Sequence, residues 1–125
     1  MSPMGSNIGD NGRALRVPVS VQVEYRSGER YQFTVGQGTD LSTSGLFVHT
    51  DEPKQVGSML YLRMALPGGS KELAEGFGRV ARVGLDTGGH RGMAIQFIHL
   101  DERSNGMLEK AVASGLVGVP RERLG

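Results

Sequence analysis

Strict alternation of apolar and polar residues constrains this chain more than any other feature. From Val17 to Tyr25 the residues Val17, Val19, Val21, Val23 and Tyr25 alternate with Pro18, Ser20, Gln22 and Glu24. A repeat of two puts every second side chain on one face, so this run is a half-buried strand. Ser27-Gly28 reads as a turn, and Tyr31, Phe33 and Val35 then repeat the alternation. The first two strands are therefore expected to form a hairpin, with Tyr31, Phe33 and Val35 on the core face. Pro18 cannot donate to a ladder and places the start of the first strand at an edge.

Four more strands follow by the same pattern. Leu46-Phe47-Val48 is the third, and a fourth runs from about Met59 to Leu66, closed by Pro67-Gly68-Gly69. Leu73 to Val83 is a long fifth strand whose apolar phase shifts between Phe77 and Val80, with Gly76 and Gly78 inside it, which predicts a bulge or sharp bend. Asp86-Thr87-Gly88-Gly89 reads as a hairpin turn before Met93, Ile95 and Phe97. Short strands joined by Gly-rich turns, with no helical pattern between them, point to an antiparallel barrel or sandwich.

The period changes near the C-terminus. Asp101 is a candidate helix cap, and Met107, Leu108, Ala111 and Val112 form one apolar stripe that should end near Gly115, well before Pro120. Gly106 inside the helix costs about 1 kcal/mol relative to Ala, so this helix depends on packing against the barrel. The chain divides into a tail over residues 1–12, a single barrel-plus-helix domain over 13–116, and a C-terminal tail over 117–125.

Composition narrows the function. With no cysteine among 125 residues, disulfides, thiolate metal sites and cysteine nucleophiles are excluded, and a cytoplasmic location is expected. No apolar run reaches membrane-span length, and the N-terminus lacks the pattern of a signal peptide. A formal net charge of +1 is too small for the footprint of a duplex nucleic-acid binder. A single-strand binder would need exposed aromatics on a basic groove, whereas most of the four Phe and three Tyr sit at core phase.

Isolated carboxylates without a nucleophile elbow or a phosphate loop suggest no enzyme. His49, His90 and His99 lie too far apart in sequence for a metal-ligand spacing and are assigned no role. No cofactor or metal is expected.

One polar segment stands out. Asp40-Leu41-Ser42-Thr43-Ser44-Gly45 joins the second strand to the third. Asp and Ser side chains in such a turn accept from backbone N–H groups ahead of them, and the Gly is free to take a positive φ. One reading is structural, with Asp40 and Ser42 tying the connection. The other is an anion site, because Arg13 and Arg16 enter the first strand at the end of the hairpin where the turn leaves the second. Guanidinium forks suit phosphates and flat rings, and the chain carries eleven Arg against three Lys.

From Arg13 to Ser114 the sequence resembles the PilZ domain family, bacterial receptors for the second messenger cyclic di-GMP. Asp40-x-Ser42-x-x-Gly45 matches the family's Asp/Asn-x-Ser-x-x-Gly motif at all three positions. Arg16-Val17-Pro18-Val19, Gly78-Arg79-Val80 and Gly92-Met93-Ala94-Ile95-Gln96-Phe97 are supporting similarities. The family's second motif, Arg-x-x-x-Arg, is altered: Gly12 stands at its first position and Arg13 is displaced by one residue.

The resemblance implies a six-stranded antiparallel barrel with a C-terminal helix. It implies a cyclic di-GMP site in which Arg16 and Arg13 contact phosphates and stack on guanine, Asp40 and Ser42 meet guanine edges, and Gly45 allows close approach. Arg82 stands where some relatives carry a stacking aromatic. The expected function is a stand-alone effector that relays cyclic di-GMP to a partner protein controlling motility, attachment or exopolysaccharide. The alternative is an adaptor of the same fold that works by docking and has lost the nucleotide.

Overall fold

The computed structural model describes residues 16–28, 31–67, 71–86 and 88–124, with the helix beyond residue 115 described by its backbone alone. Among the described residues six antiparallel strands are followed by one helix: β1 (Val21–Ser27), β2 (Thr34–Thr39), β3 (Gly45–His49), β4 (Met59–Met64), β5 (Ala74–Leu85), β6 (Arg91–Leu100) and α1 (Glu102–Leu124). Neighbours run β1-β2-β3-β6-β5-β4, and β4 pairs back onto β1, so the sheet closes into a barrel. Closure settles the choice between barrel and sandwich. It also corrects the expected edge: Tyr25 pairs with Thr34 on one side and Leu62 on the other, and Pro18 lies ahead of β1. A closed barrel has no edge to protect.

Closure inverts the expected phase of β2. Val35 is 59 % exposed, because the register of β1 against β2 sets Tyr25 opposite Thr34 and Val21 opposite Gly38, and Tyr31, 96 % exposed, lies ahead of the strand, which begins only at Thr34. Paired residues share a face, so even-numbered positions of β2 point inward. At Gly38 an added Cβ would lie 2.7 Å from Leu46 and 2.8 Å from Val23. The interior is already filled by neighbouring strands, and β2 contributes backbone there.

The predicted irregularity in β5 is real: its register against β6 shifts between Phe77 and Gly78 and again between Val80 and Arg82. Inside the barrel Tyr25, Leu60, Leu62, Met64 and Val80 are fully buried. The Tyr25 hydroxyl donates to the Glu52 carbonyl at 2.9 Å and bonds Thr50 Oγ1 at 2.7 Å, and burial raises its pKa.

Asp101 caps α1 as expected, its Oδ1 accepting from the Ser104 N–H at 2.7 Å, which is the main reason its carboxyl pKa is lowered. Leu108, Ala111 and Val112 are buried, with Met107 packed at their margin. The helix does not stop near Gly115, and the tail expected over 117–125 is helical through Leu124. Glycine lowers helix propensity without ending a helix, and Pro120 removes one donor without breaking the turns around it. Among the described residues no helix is long and apolar enough to cross a membrane.

The aromatics also depart from expectation. Tyr25 lies in the core and Phe97 packs against it, but Phe33, Tyr61 and Phe77 form a row on the outside, with Phe33 6.3 Å and Phe77 5.3 Å from Tyr61 between ring centroids. The Arg26 guanidinium lies over Phe33 and Tyr61, and that of Arg63 over Phe33. Those ring faces are engaged by cations of the chain itself.

Candidate functional site

The turn between β2 and β3 sits against the segment that enters β1. Val17 and Leu41 form a two-way bridge, each N–H bonding the other's carbonyl at 2.8 and 2.9 Å. Both side chains are buried, so this small bridge plugs one end of the barrel with apolar surface. Leu41 therefore anchors the motif from within while its neighbours stay near the surface. Arg16, exposed, donates from Nη1 to the Asp40 carbonyl at 3.3 Å. The expected convergence of Arg16 with the Asp40 turn holds; Arg13 and Gly12 lie outside the described residues.

Within the turn the positive φ falls on Asp40, at 49°, and not on Gly45. Asp is among the residues that tolerate this left-handed region. Ser42 is 1 % exposed, and its hydroxyl is fully used: it accepts from the Ser44 N–H at 3.1 Å, bonds Ser44 Oγ at 3.1 Å and donates to the Gly45 carbonyl at 3.3 Å. Ser42 shapes the turn and offers no free hydroxyl to a ligand. The surface of the turn belongs to Asp40, Thr43 and Ser44.

Gly45 does allow close approach, but to the protein itself. A Cβ there would lie 2.1 Å from the Ile95 carbonyl oxygen. The Phe97 N–H bonds the Ser44 carbonyl at 2.9 Å, so the turn is seated directly on β6.

Arg82 is not gathered into this site. Its guanidinium lies 5.6 Å over the Phe47 ring, and Nη1 donates to the Leu85 carbonyl at 3.3 Å. In register it belongs to the row Thr39–Phe47–Ala94–Arg82. The row that carries Gly45 continues through Gln96 to Arg79, both exposed. Arg79 is thus the β5 arginine aligned with the motif, and only its outward phase in the strand hints at it from sequence.

A second polar cluster occupies the other end of β3. His49 Nε2 lies 2.5 Å from Asp86 Oδ2, and the His49 and His90 rings stack at 4.5 Å and 20°. The Asp86 turn is a hairpin turn as expected: its Oδ1 accepts from the N–H groups of Gly88 at 2.8 Å and His90 at 2.9 Å. These bonds, that of His90 foremost, lower the Asp86 pKa to about 2. Histidines without a shared sequence spacing are here brought together by strand pairing, with His49 opposite Gly92.

Comparison with known proteins follows this geometry. The family model described as "PilZ domain" matches residues 10–114. Among solved structures, that titled "Structure of Bacillus subtilis Inhibitor of motility (MotI/DgrA)" superposes with a TM-score of 0.70 at 18% sequence identity. The match covers 87% of this chain and 53% of that one, so the present chain spans about half its length. At that identity the likeness is one of fold. No curated protein is significantly similar in sequence.

Proposed function

The chain belongs to the PilZ domain family, and on that premise we propose that it binds cyclic di-GMP at the Arg16–Asp40 end of the barrel and relays the ligand to a partner protein. The observation that carries this reading is the Val17–Leu41 bridge with the Arg16–Asp40 contact, which joins the arginine-bearing segment to the turn of the Asp-x-Ser-x-x-Gly motif. Arg16 is the phosphate fork, and the Asp40 carboxylate accepts from a guanine edge. Gln96 and Arg79, on the same row as Gly45, extend the polar surface beneath the ligand. Ser42 and Gly45 act through the turn they build. Binding at the barrel mouth favours the ligand-bound state, and the difference between free and bound states is the signal.

Motility control is the output favoured among motility, attachment and exopolysaccharide, supported by a fold neighbour titled an inhibitor of motility. The reading is one of binding and carries no catalytic step. A second reading, an adaptor of this fold that docks without nucleotide, is favoured by the self-contained turn, where the Ser42 hydroxyl is spent and Arg16 already donates to Asp40.

Calorimetric titration with cyclic di-GMP separates the two. Saturable binding that is lost in Arg16→Ala and in Asp40→Ala supports the receptor, and no heat at high ligand concentration sinks it. Arg13→Ala reports whether the displaced arginine takes part.

A further inference from the structure

We propose that His49, Asp86 and His90 form a binding site for a borderline divalent transition-metal ion, zinc in first place, at the end of β3 away from the Asp40 turn. The three residues come from separate places, the last position of β3 and the two shoulders of the β5–β6 hairpin turn, yet one ligand atom from each lies within 4.8 Å of the other two. His49 Nε2 and His90 Nδ1 both face the Asp86 carboxylate, at 2.5 Å from Oδ2 and 3.5 Å from Oδ1. Donors around a tetrahedral ion with bonds of about 2.0 Å stand roughly 3.3 Å apart. The His49 pair on Oδ2 reaches it by opening less than about an ångström, and His90, whose Nδ1 stands at that distance from Oδ1, turns its exposed side chain toward Oδ2, since Oδ1 already accepts two N–H groups.

The donor set selects the class of ion. Two imidazole nitrogens and one carboxylate oxygen suit zinc and its borderline neighbours, where calcium and magnesium prefer oxygen alone and copper(I) prefers sulfur. Support around the ligands is present as well. Two backbone N–H groups hold Asp86 Oδ1, so the carboxylate is fixed before any ion arrives. The Phe47 ring packs edge-on against His49 at 5.7 Å, and the His90 ring, stacked on His49 at 4.5 Å, is exposed and turns out of the stack to bring its nitrogen onto the same ion.

Thr50, Asp51 and Arg91 line, together with His49 and His90, an open cavity of about 260 Å³ beside the cluster, which leaves room for a water or a fourth oxygen donor. Three protein ligands and an open position describe an exchangeable site that clips β3 to the β5–β6 turn.

The test is calorimetric titration of the full chain with Zn²⁺ alone, repeated for His49→Ala, His90→Gln and the control His99→Ala. Expected is saturable binding of one ion per chain, weakened about tenfold or more in the first two variants and unchanged in the third. His90 has a 63% exposed side chain, so His90→Gln is safe for folding where His49→Ala is less so. Electron paramagnetic resonance of the Cu²⁺-loaded chain supplies a direct count, with nitrogen hyperfine structure from two imidazoles falling to one in His90→Gln. Absence of saturable Zn²⁺ binding, or binding as tight in His49→Ala and His90→Gln as in the parent chain, overturns the proposal.

Discussion

The two ends of β3 hold polar groups by opposite means. At its start, Ser42 and Ser44 bond one another and the Gly45 backbone, so the turn is complete within a few consecutive residues. At its end, His49 reaches across 37 residues of sequence to Asp86. The first arrangement is local, rigid and largely spent on itself, and what it offers a ligand is the shape and surface of a turn. The second is assembled by strand pairing and leaves imidazole nitrogens and a carboxylate oxygen facing one another. The motif visible in sequence is here a self-contained turn, whereas the cluster of imidazoles and carboxylate is invisible in sequence.

That contrast is open to direct attack. The largest effect is expected for Gly45→Val, whose Cβ would fall 2.1 Å from the Ile95 carbonyl. Backbone must part from backbone, and a loss of about 3 kcal/mol or more is expected in denaturant titration. A variant as stable as the parent would show that the turn is not seated on β6. Next comes Arg16→Ala, expected to weaken cyclic di-GMP about tenfold to a hundredfold by removing a charged hydrogen-bonding fork, with little change in melting temperature because the side chain is exposed. A parallel fall in melting temperature would make Arg16 a clamp for the turn instead of a ligand contact.

A smaller effect separates backbone from side chain at Asp40. Its φ of 49° costs a residue with a Cβ, so Asp40→Ala should be about 1 kcal/mol less stable than Asp40→Gly. Both should lose nucleotide affinity equally if the carboxylate meets the ligand; retention in the glycine variant alone would assign Asp40 a purely conformational role.

The smallest effect belongs to the other end of β3. Asp86 has its pKa lowered from 3.8 to about 2, first by the His90 N–H. A lowered folded pKa means the native state releases its proton more readily than the unfolded state. The stability Asp86 lends is therefore fully present above pH 3.8 and lost as pH falls through about 2. Asp86→Asn should flatten the decline in stability over that interval, read by denaturant midpoints at successive pH values. An unchanged slope would mean the carboxylate is not held by the turn.

Legibility followed the range of the interactions. The alternation from Val17 to Tyr25, the bulge in β5 and the Asp101 cap are set by near neighbours in sequence, and the last two appear close to their expected places, while the alternation holds in burial although the strand itself begins only at Val21. Val35 misled because alternation defines two faces without saying which is inside, and Tyr31 because the strand begins only at Thr34. Arg82 misled in a similar way: the register shift between Val80 and Arg82 sets it opposite Ala94 instead of Met93, in the row of Phe47 and two positions from the Gln96 row that holds Gly45. Arg79, one pleat away, was indistinguishable from it by residue type.

The sequence by itself determined the element types, the family motif of the β2–β3 turn and the apolar stripe of α1, since each is a matter of local period or contiguous chemistry. Only the tertiary structure decided which face of β2 points inward, that the Ser42 hydroxyl is spent within its own turn, and that His49 and His90 stack beside Asp86. These depend on barrel closure, in which one register between non-adjacent segments fixes the facing of every residue in the row. No local pattern carries that information.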